Sequence, residues 1–144
     1  MLEVKFYDTV DAALLKFAVI ISKSNGKWVM CKHKERDTYE VPGGHREEGE
    51  DILDTAKREL QEETGAVKFD LEPLCVYSVT GKTRVNENGE ESFGLLCFAE
   101  IMEFSGKLES EIEKVELMDE LPENWTYPLI QPKLIEEYKR RKYH

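Results

Sequence analysis

Three glutamates, Glu59, Glu62 and Glu63, lie close together in a segment whose pattern predicts a helix. Spacings of three and four residues place their carboxylates on one side of that helix, where the oxygens can converge on a small volume. Like charges at this spacing repel, so the helix gains no stability from the arrangement. Hard divalent cations such as Mg2+ and Mn2+ bind several carboxylate oxygens and would offset the repulsion. The alternative is a solvated acidic face, and the helix alone does not decide between the two.

The helix itself is predicted over Asp51 to Thr64. Acidic residues occupy its first turn, and Gly65 follows as a C-terminal stop. The stripe of Leu53, Ala56 and Leu60 has the spacing of a core-facing surface. The three glutamates project from a neighbouring arc of the helix surface.

A short extended segment, Tyr39 to Gly44, precedes the helix and is predicted to end in a glycine loop. Glycine permits sharp turns and close backbone approach, and the region before a helix N-terminus favours anions. Together with the acidic helix, the loop carries a fixed pattern of residue types. Five residues separate Gly44 from Glu50, and seven more precede Arg58.

From Gly44 to Ala66 the chain reads G-x5-E-x7-R-E-L-x-E-E-x-G-A, which resembles the Nudix box G-x5-E-x7-R-E-U-x-E-E-x-G-U, where U is a bulky aliphatic residue. Every fixed letter matches. Ala66 is the departure, because it is small where the family has a bulky residue, and that position serves packing rather than chemistry. A match over this many fixed positions favours the cation site over the solvated face.

The resemblance implies one Nudix domain over residues 1–144, with a mixed β-sheet sandwiched between α-helices, an α/β/α sandwich. The chain order agrees, since strands come first, a helix interrupts them, more strands follow and a helix closes the chain. A hairpin is predicted around the turn at Ser24 to Lys27. The predicted strands are Phe17 to Ser22, Trp28 to Lys34, Leu71 to Gly81, Ser92 to Phe104 and Val115 to Met118, with a turn at Asn86 to Glu90, a final helix over Tyr127 to Tyr138 and a solvated tail after it.

Nudix enzymes hydrolyse the pyrophosphate bond of a nucleoside diphosphate linked to another group, with Mg2+ or Mn2+ as cofactor. The resemblance therefore implies a pyrophosphohydrolase with a small nucleotide substrate, foremost a nucleoside triphosphate such as 8-oxo-dGTP, giving the monophosphate and pyrophosphate. Nucleotide sugars, dinucleoside polyphosphates and RNA 5′ ends are alternative substrates. A different class, a nucleotide-binding regulatory module without turnover, is also open. Such modules often lose box residues or add a DNA-binding domain, and neither feature is seen here.

Carried over by position, the resemblance makes Glu59, Glu62 and Glu63 the side-chain metal ligands, with the Gly44 carbonyl as a further oxygen. Arg58 is implied to steer a box glutamate through a charge-assisted hydrogen bond. A surface partner four residues away is the other interpretation of Arg58. Glu50 is either a structural partner near the helix start or a plain first-turn acid.

The general base has candidates within the box and on a later loop. Glu59 is the first choice within the box, and Arg58 and Glu62 complete the predicted catalytic set. The family also places a carboxylate on a later loop, where the segment Lys107 to Glu116 offers Glu109, Glu111 and Glu113, with Glu109 and Glu111 favoured. Each of these alone is otherwise a solvated loop acid.

Substrate contacts are expected outside the box. Lys32 and His33 end the second predicted strand, where the family often places basic residues near the phosphates. Asn124 and Thr126 precede the last helix, where a polar residue reads the base in mutator-type relatives. Solvated strand ends and loop capping explain these residues equally well. Trp125 and Tyr127 are candidates for stacking on a base, and His45 is interpreted as a loop residue.

Composition restricts the partners. The formal net charge of -10 argues against binding long nucleic acids, whose phosphates require basic patches. The cysteines, Cys31, Cys75 and Cys97, form no CxxC pair, which predicts neither disulfides nor a zinc site and fits the cytoplasm. Neither a signal peptide nor a membrane span is predicted, so no membrane partner is expected. The sequence leaves monomer and homodimer open.

Overall fold

In a computed structural model, residues 2–82, 88–106 and 112–142 are described. They form eight strands in one mixed sheet and two α-helices. The strands are β1 (Glu3–Tyr7), β2 (Leu15–Ser24), β3 (Lys27–His33), β4 (Tyr39–Glu40), β5 (Gly43–His45), β6 (Ala66–Thr80), β7 (Ser92–Phe104) and β8 (Ile112–Met118), and the helices are α1 (Ile52–Thr64) and α2 (Gln131–Lys142). A 3₁₀ turn at Ala12–Leu14 leads into β2.

The sheet runs in the order β1-β6-β7-β2-β3-β4, with β5 added to β2 and β8 added to β3. Strands β2 and β7 are parallel, and the other pairs are antiparallel. The predicted hairpin is confirmed, because β2 and β3 pair directly across Asn25 and Gly26. Both turn residues have positive φ, at 53° and 78°, which matches the twist of a two-residue hairpin.

Each face of the sheet carries one helix and one apolar core, so the predicted α/β/α sandwich is confirmed. The helix residues buried in the two cores are Ile52, Ala56 and Leu60 from α1, and Leu134, Ile135 and Tyr138 from α2. Leu53, predicted within the core stripe, is only partly buried and packs at the edge of the α1 core. Ile52 is buried instead.

The helix α1 begins at Ile52, one residue later than predicted, because Asp51 has extended backbone and serves as the N-cap residue. Its end is as predicted. Gly65 adopts the left-handed conformation, with φ of 77°, and its N–H donates to the Gln61 carbonyl. The chain then enters β6 immediately at Ala66, whereas the sequence pattern indicated a strand only from Leu71.

The last helix was predicted too early in the chain. It runs from Gln131 to Lys142, so the predicted start at Tyr127 is wrong, and the basic residues Lys139 to Lys142 are helical rather than a tail. Tyr127 instead accepts the backbone N–H groups of Ile130 and Gln131 in a turn. Pro132 at the first turn suits a helix start, since its missing N–H would be unsatisfied there. In the described residues no helix is long and apolar enough to cross a membrane.

Candidate functional site at the glycine strand

The glycine segment is a strand rather than the predicted loop. Gly43 and Gly44 lie in β5 and pair with Val19 and Ala18 of β2. A Cβ atom added to Gly43 would lie 2.7 Å from the Ala18 carbonyl oxygen, and one added to Gly44 would overlap the Glu59 carboxylate. Glycine is therefore required at position 43 by the backbone of the sheet, whereas a methyl group at position 44 would displace the movable Glu59 carboxylate of α1.

Two of the three predicted ligands contact this strand. Glu63 Oε1 accepts the backbone N–H of Gly43 at 2.8 Å. Glu59 packs against Gly44, and only 13% of its side chain is exposed, compared with 46% for Glu62. The turn of α1 thus brings two carboxylates into a poorly solvated space beside the glycine backbone.

Burial raises the pKa of both carboxylates. The pKa of Glu59 rises to about 7, chiefly through loss of solvation, while Arg58 acts to lower it. The pKa of Glu63 rises to about 8, again mainly through burial, although the Gly43 N–H favours its charged form. The neighbouring carboxylates, including Glu40, add to the rise at Glu63. A positive charge placed between them would reverse these shifts.

Arg58 joins the helix to the preceding segment. Its Nε donates to Glu50 Oε2 at 2.7 Å, and its Nη2 donates to Glu50 Oε1 and to the His45 carbonyl, both at 3.0 Å. Its Nη1 lies 3.3 Å from Glu62 Oε2 and 3.7 Å from Glu59 Oε2. This geometry fits both sequence interpretations, since Arg58 contacts box glutamates and also pairs with a residue four positions on.

Glu50 lies before the helix start rather than in its first turn. Its Oε1 accepts the Glu47 N–H at 3.0 Å and the Thr55 hydroxyl at 2.7 Å, in addition to the Arg58 bond. These hydrogen bonds, led by that from Arg58, lower the pKa of Glu50 to about 2. Glu50 therefore acts as a charged anchor that closes residues 47–50 onto the helix, which favours the structural interpretation.

The carboxylates do not form a ready-made cluster. Among residues 2–82, 88–106 and 112–142, no group of three His, Cys, Asp or Glu side chains is placed to hold a metal ion. Glu63 accepts the Gly43 N–H, and Glu62 accepts a hydrogen bond from Arg58. The donor set is nevertheless composed of hard oxygens, and two of its carboxylates are partly buried beside the glycine strand, where burial and, to a lesser extent, repulsion between acids raise the pKa of both. This chemistry fits Mg2+ or Mn2+.

Lys32 and His33 lie at the end of β3, as predicted, but Lys32 forms an ion pair there. Its Nζ lies 3.0 Å from Glu113 Oε2, and its side chain is 14% exposed. His33 Nδ1 faces the Glu35 N–H at 3.4 Å. A role of these residues at the phosphates stays a prediction. Glu109 and Glu111 lie outside the described residues.

Asn124 and Thr126 hold their own segment against the sheet. Asn124 Nδ2 donates to the Asp37 carbonyl at 2.7 Å, and the Thr126 hydroxyl lies 2.7 Å from that of Thr38. Their backbones also bond to Tyr39 on both sides. These contacts favour the loop-holding interpretation of both residues, and base recognition by either stays a prediction.

A cavity of about 200 Å³ lies beside the glycine strand and extends towards α2. Its walls are mainly apolar and include the aromatic rings of Phe17, Tyr77 and Tyr127. Its full lining is Phe17, Val19, Glu40, Val41, Gly43, Gly44, His45, Tyr77, Val79, Ser92, Tyr127, Ile130, Gln131 and Leu134. Sequence reasoning missed Phe17, Tyr77 and Gln131. Phe17 and Tyr77 are aromatic residues within apolar strand patterns. Ordinary core residues share that feature, so it does not distinguish cavity residues.

Fold and site together define an α/β/α protein with an acidic, cation-compatible helix on a glycine strand and an aromatic cavity beside it. The family model described as NUDIX domain matches residues 14–137. The chain therefore belongs to the Nudix family. The extent of the domain, residues 1–144, stays a prediction.

Three relatives illustrate the similarity. The chain is 37% identical, over 114 residues, to the putative 8-oxo-dGTP diphosphatase YtkD of Bacillus subtilis, a match covering 76% of this chain and 65% of YtkD, less than two thirds of the relative. The solved structure of a mutant of the Bacillus subtilis pyrophosphohydrolase BsRppH matches with a TM-score of 0.78 and 26% identity over 99% of this chain and 92% of that one. The NUDIX domain of Shewanella oneidensis NrtR, solved with ADP-ribose, matches with a TM-score of 0.64 and 17% identity over 88% and 87%. The last likeness concerns the fold alone.

Proposed function

We propose that this chain is a divalent-cation-dependent pyrophosphohydrolase of nucleoside triphosphates, with 8-oxo-dGTP as the leading substrate. The products are the nucleoside monophosphate and pyrophosphate. One observation carries the proposal. The strand Gly43–Gly44 has partly buried carboxylates against it and also borders an aromatic cavity, so that a base in the cavity places its phosphates near the acids. The resemblance to YtkD supports the same substrate class.

In this proposal Glu59, Glu62, Glu63 and the Gly44 carbonyl hold Mg2+ or Mn2+. When bound, such a cation polarises phosphoryl oxygens and screens the acidic site from the substrate's negative charge. Arg58 fixes the helix relative to the strand through Glu50 and the His45 carbonyl. That anchoring keeps the carboxylates oriented while the substrate binds.

Glu59 is the proposed general base. A water attacks a phosphorus of the pyrophosphate bridge, a new P–O bond forms, the bridging P–O bond breaks, and the water proton passes to a carboxylate. The Glu59 carboxylate lies against the glycine strand beside the proposed phosphate site, and its charged form, which a nearby cation favours, can accept that proton. Glu109 and Glu111 are the alternative bases.

A second candidate substrate is a nucleotide joined to a further group, as in a dinucleoside polyphosphate or an RNA 5′ end. A second cavity of about 240 Å³ supports it, since Tyr127 and Ile130 line both cavities and Lys82 lines the second. A group that extends beyond the first cavity would therefore contact the walls of the second one and the Lys82 ammonium. The net charge of -10 opposes binding of long RNA.

The test is a substrate panel with Mg2+, comprising 8-oxo-dGTP, dGTP, ATP, ADP-ribose, a nucleotide sugar and a 5′-triphosphorylated RNA. Release of phosphate, pyrophosphate and monophosphate is measured for each. We expect pyrophosphate and monophosphate from the triphosphates, loss of activity with a chelator and recovery with Mg2+ or Mn2+. Binding without turnover across the panel would instead indicate a regulatory module, and full activity in excess chelator would exclude the cation.

A further inference from the structure

Gly94 lies in the interior of β7, the strand between β6 and β2 in the sheet. Glycine weakens the interior of a strand, because it has no side chain to pack and loses more conformational freedom on folding than other residues. Its φ is not positive, so the backbone at this position would accept any residue. The reason for glycine here is therefore a close approach by another group.

The approaching group is the side chain of Phe17 in β2. Phe17 pairs with Gly94 across the parallel strands, and Gly94 is buried. A Cβ atom added to Gly94 would overlap the Phe17 ring and would lie 3.0 Å from the Phe17 carbonyl oxygen. The ring thus lies over position 94 and fills the space that a side chain there would take.

The Phe17 ring is one of three rings in a row across the sheet. Tyr77 of β6 pairs with Gly94 from the other side, and the Phe17 and Tyr77 ring centroids are 5.6 Å apart with a tilt of 50°. His45 of β5 pairs with Phe17 and stands edge-on to it, with ring centroids 6.0 Å apart. All three side chains line the aromatic cavity, and on the sheet side they form its floor.

The roof of the cavity lies opposite, where Ile130, Gln131 and Leu134 approach from α2 and the turn before it. The space between floor and roof is about 200 Å³. The backbones of β6 and β2 flank position 94, so a ring displaced from that position can move only away from the sheet. That direction leads into the cavity, where the ring would fill the room that a ligand needs.

We propose that Gly94 is a positioning residue that keeps the cavity open for the planar base of the substrate. Because it has no side chain, the Phe17 ring lies across β7, and the floor offers an aromatic surface on which a base can stack. This inference rests on the proposed function and adds how the site recognises its substrates, through the flat face that every nucleobase presents. The floor should therefore distinguish nucleotides from phosphates without a base more strongly than it distinguishes one base from another.

The direct test is Gly94→Ala, whose methyl group displaces the Phe17 ring from the strand. We expect kcat/KM for dGTP and for ATP to fall together by about 10-fold or more, the scale of one lost contact between a base and an aromatic ring. The loss should appear in KM rather than in kcat, because the carboxylates of the site are not changed. Inorganic tripolyphosphate, which has no base, should inhibit the variant with the parental Ki.

Phe17→Ala gives an independent check, because it removes the ring instead of displacing it. This variant by itself should raise KM for both nucleotides, as Gly94→Ala does. In the double variant, Gly94→Ala should cause no further loss, since no ring remains for the methyl group to displace. A merely structural role of Gly94, through its contact with the Phe17 backbone, would instead make the two losses add.

Ala99→Val is the control for a general disturbance of β7. Ala99 is fully buried in the α1 core, on the face of the sheet opposite the cavity. The added methyl groups overpack that core, so thermal unfolding should show a lower Tm, while KM for both nucleotides should stay parental. A raised KM in this variant would show that any disturbance of β7 weakens binding, and it would overturn the specific role of Gly94.

Calorimetric binding of GMP and AMP to the same variants keeps this inference separate from the proposed function. Weaker binding of both in each single variant, without a further loss in the double variant and with no turnover of any nucleotide, would overturn the proposed function and leave the inference standing. Turnover with parental KM in a folded Gly94→Ala protein, or losses that add, would overturn the inference alone. Absence of both binding and turnover in the parent would overturn both.

Phe17→Ala also decides the matter if Gly94→Ala fails to fold. An affinity for GMP and AMP about 10-fold below that of the parent would then support the aromatic floor. Parental affinity of Phe17→Ala for both monophosphates would overturn it.

Discussion

At the scale of single residues, Glu59 contacts both the glycine strand and Arg58. Its carboxylate packs against Gly44, lies 3.7 Å from the Arg58 guanidinium and has a pKa raised to about 7 by burial. Glu62, by contrast, is half-exposed and held by Arg58. The two acids are three residues apart on one helix, yet their different solvation suits them to different tasks.

Replacing Glu59 should therefore lower the catalytic rate while the protein still folds. We expect Glu59→Gln to lower kcat by about 10²-fold or more, the scale of a lost acid–base or electrostatic group. Steady-state kinetics on the best substrate, with thermal unfolding as the check on folding, measure this. Glu136→Gln makes the same change on the exposed side of α2 and should retain parental rates. A folded, metal-binding Glu59→Gln enzyme with parental kcat would overturn its central role.

The alternative bases are tested in parallel. Glu109→Gln and Glu111→Gln should have unequal effects. We expect kcat/KM to fall by about 10-fold or more in the variant that loses the carboxylate used in the reaction. The other should be near neutral, as a solvated loop acid is. The measurement is kcat/KM of each variant over a range of pH. Parental rates in both would leave the base within the box.

At the scale of elements, β5 couples the sheet to α1. It is only three residues long, but β2 pairs with it on one side and Glu59 and Glu63 of α1 contact it on another. The bidentate Arg58–Glu50 pair holds the intervening segment. A strand, a short connection and a helix are thus locked together at the position where substrate phosphates are proposed to bind.

The two glycines of β5 should respond differently to a methyl group. Gly43→Ala brings its Cβ within 2.7 Å of the Ala18 backbone oxygen, so we expect lower stability, by about 1–3 kcal/mol. Gly44→Ala meets the movable end of Glu59, so the protein should fold while kcat drops by about 10²-fold, the effect of a misplaced catalytic group. Thermal unfolding and kinetics separate the two. Parental activity in Gly44→Ala would show that Glu59 does not need its position against the strand.

At the scale of the whole molecule, a strongly acidic protein has partly buried carboxylates in its site. Without a cation, the folded state holds Glu59 and Glu63 at pKa values of about 7 and 8, above their ordinary 4.5. Between about pH 4.5 and 8 the folded protein therefore binds more protons than the unfolded chain. The stability that these groups contribute is complete below pH 4.5 and is lost as the pH rises through that window.

We accordingly expect the Tm of the chelator-treated protein to fall as the pH rises from 5 to 8, because both carboxylates must ionise. Mg2+ binds the ionised form, so its stabilising effect should grow over the same range, reaching on the order of 5–10 °C at a concentration 100-fold above Kd. Glu50, with its pKa lowered to about 2, contributes stability above pH 4.5 and does not oppose this trend.

The control is Glu63→Gln, which cannot ionise and should flatten the fall in Tm in the absence of metal. Glu62→Gln should weaken the gain from Mg2+, since a ligand is lost. Thermal unfolding of parent and variants over this pH range measures all three effects. An equal gain from saturating Mg2+ in Glu62→Gln and the parent would show that Glu62 is not a ligand, and a Tm that rises with pH would contradict the burial argument.

Local patterns in the sequence determined the box, the helix ending at Gly65 and the hairpin at Asn25–Gly26, because periodicity, glycine conformation and turn chemistry act within a few residues. The order of predicted strands and helices also indicated the α/β/α layers of the fold. The spacing of fixed residues from Gly44 to Ala66 indicated the family. These features depend on neighbours in the chain, and sequence alone was sufficient for them.

Only the tertiary structure decided which distant side chains meet. Phe17, Tyr77, Tyr127 and Gln131 come from separate parts of the chain, and strand order and register bring them to one cavity. The same packing engages Asn124 and Thr126 with residues 37–39, contacts that spacing along the chain did not indicate. Long-range pairing depends on the balance of packing over the whole sheet rather than on local spacing, and for that reason the sequence pattern could not assign the cavity.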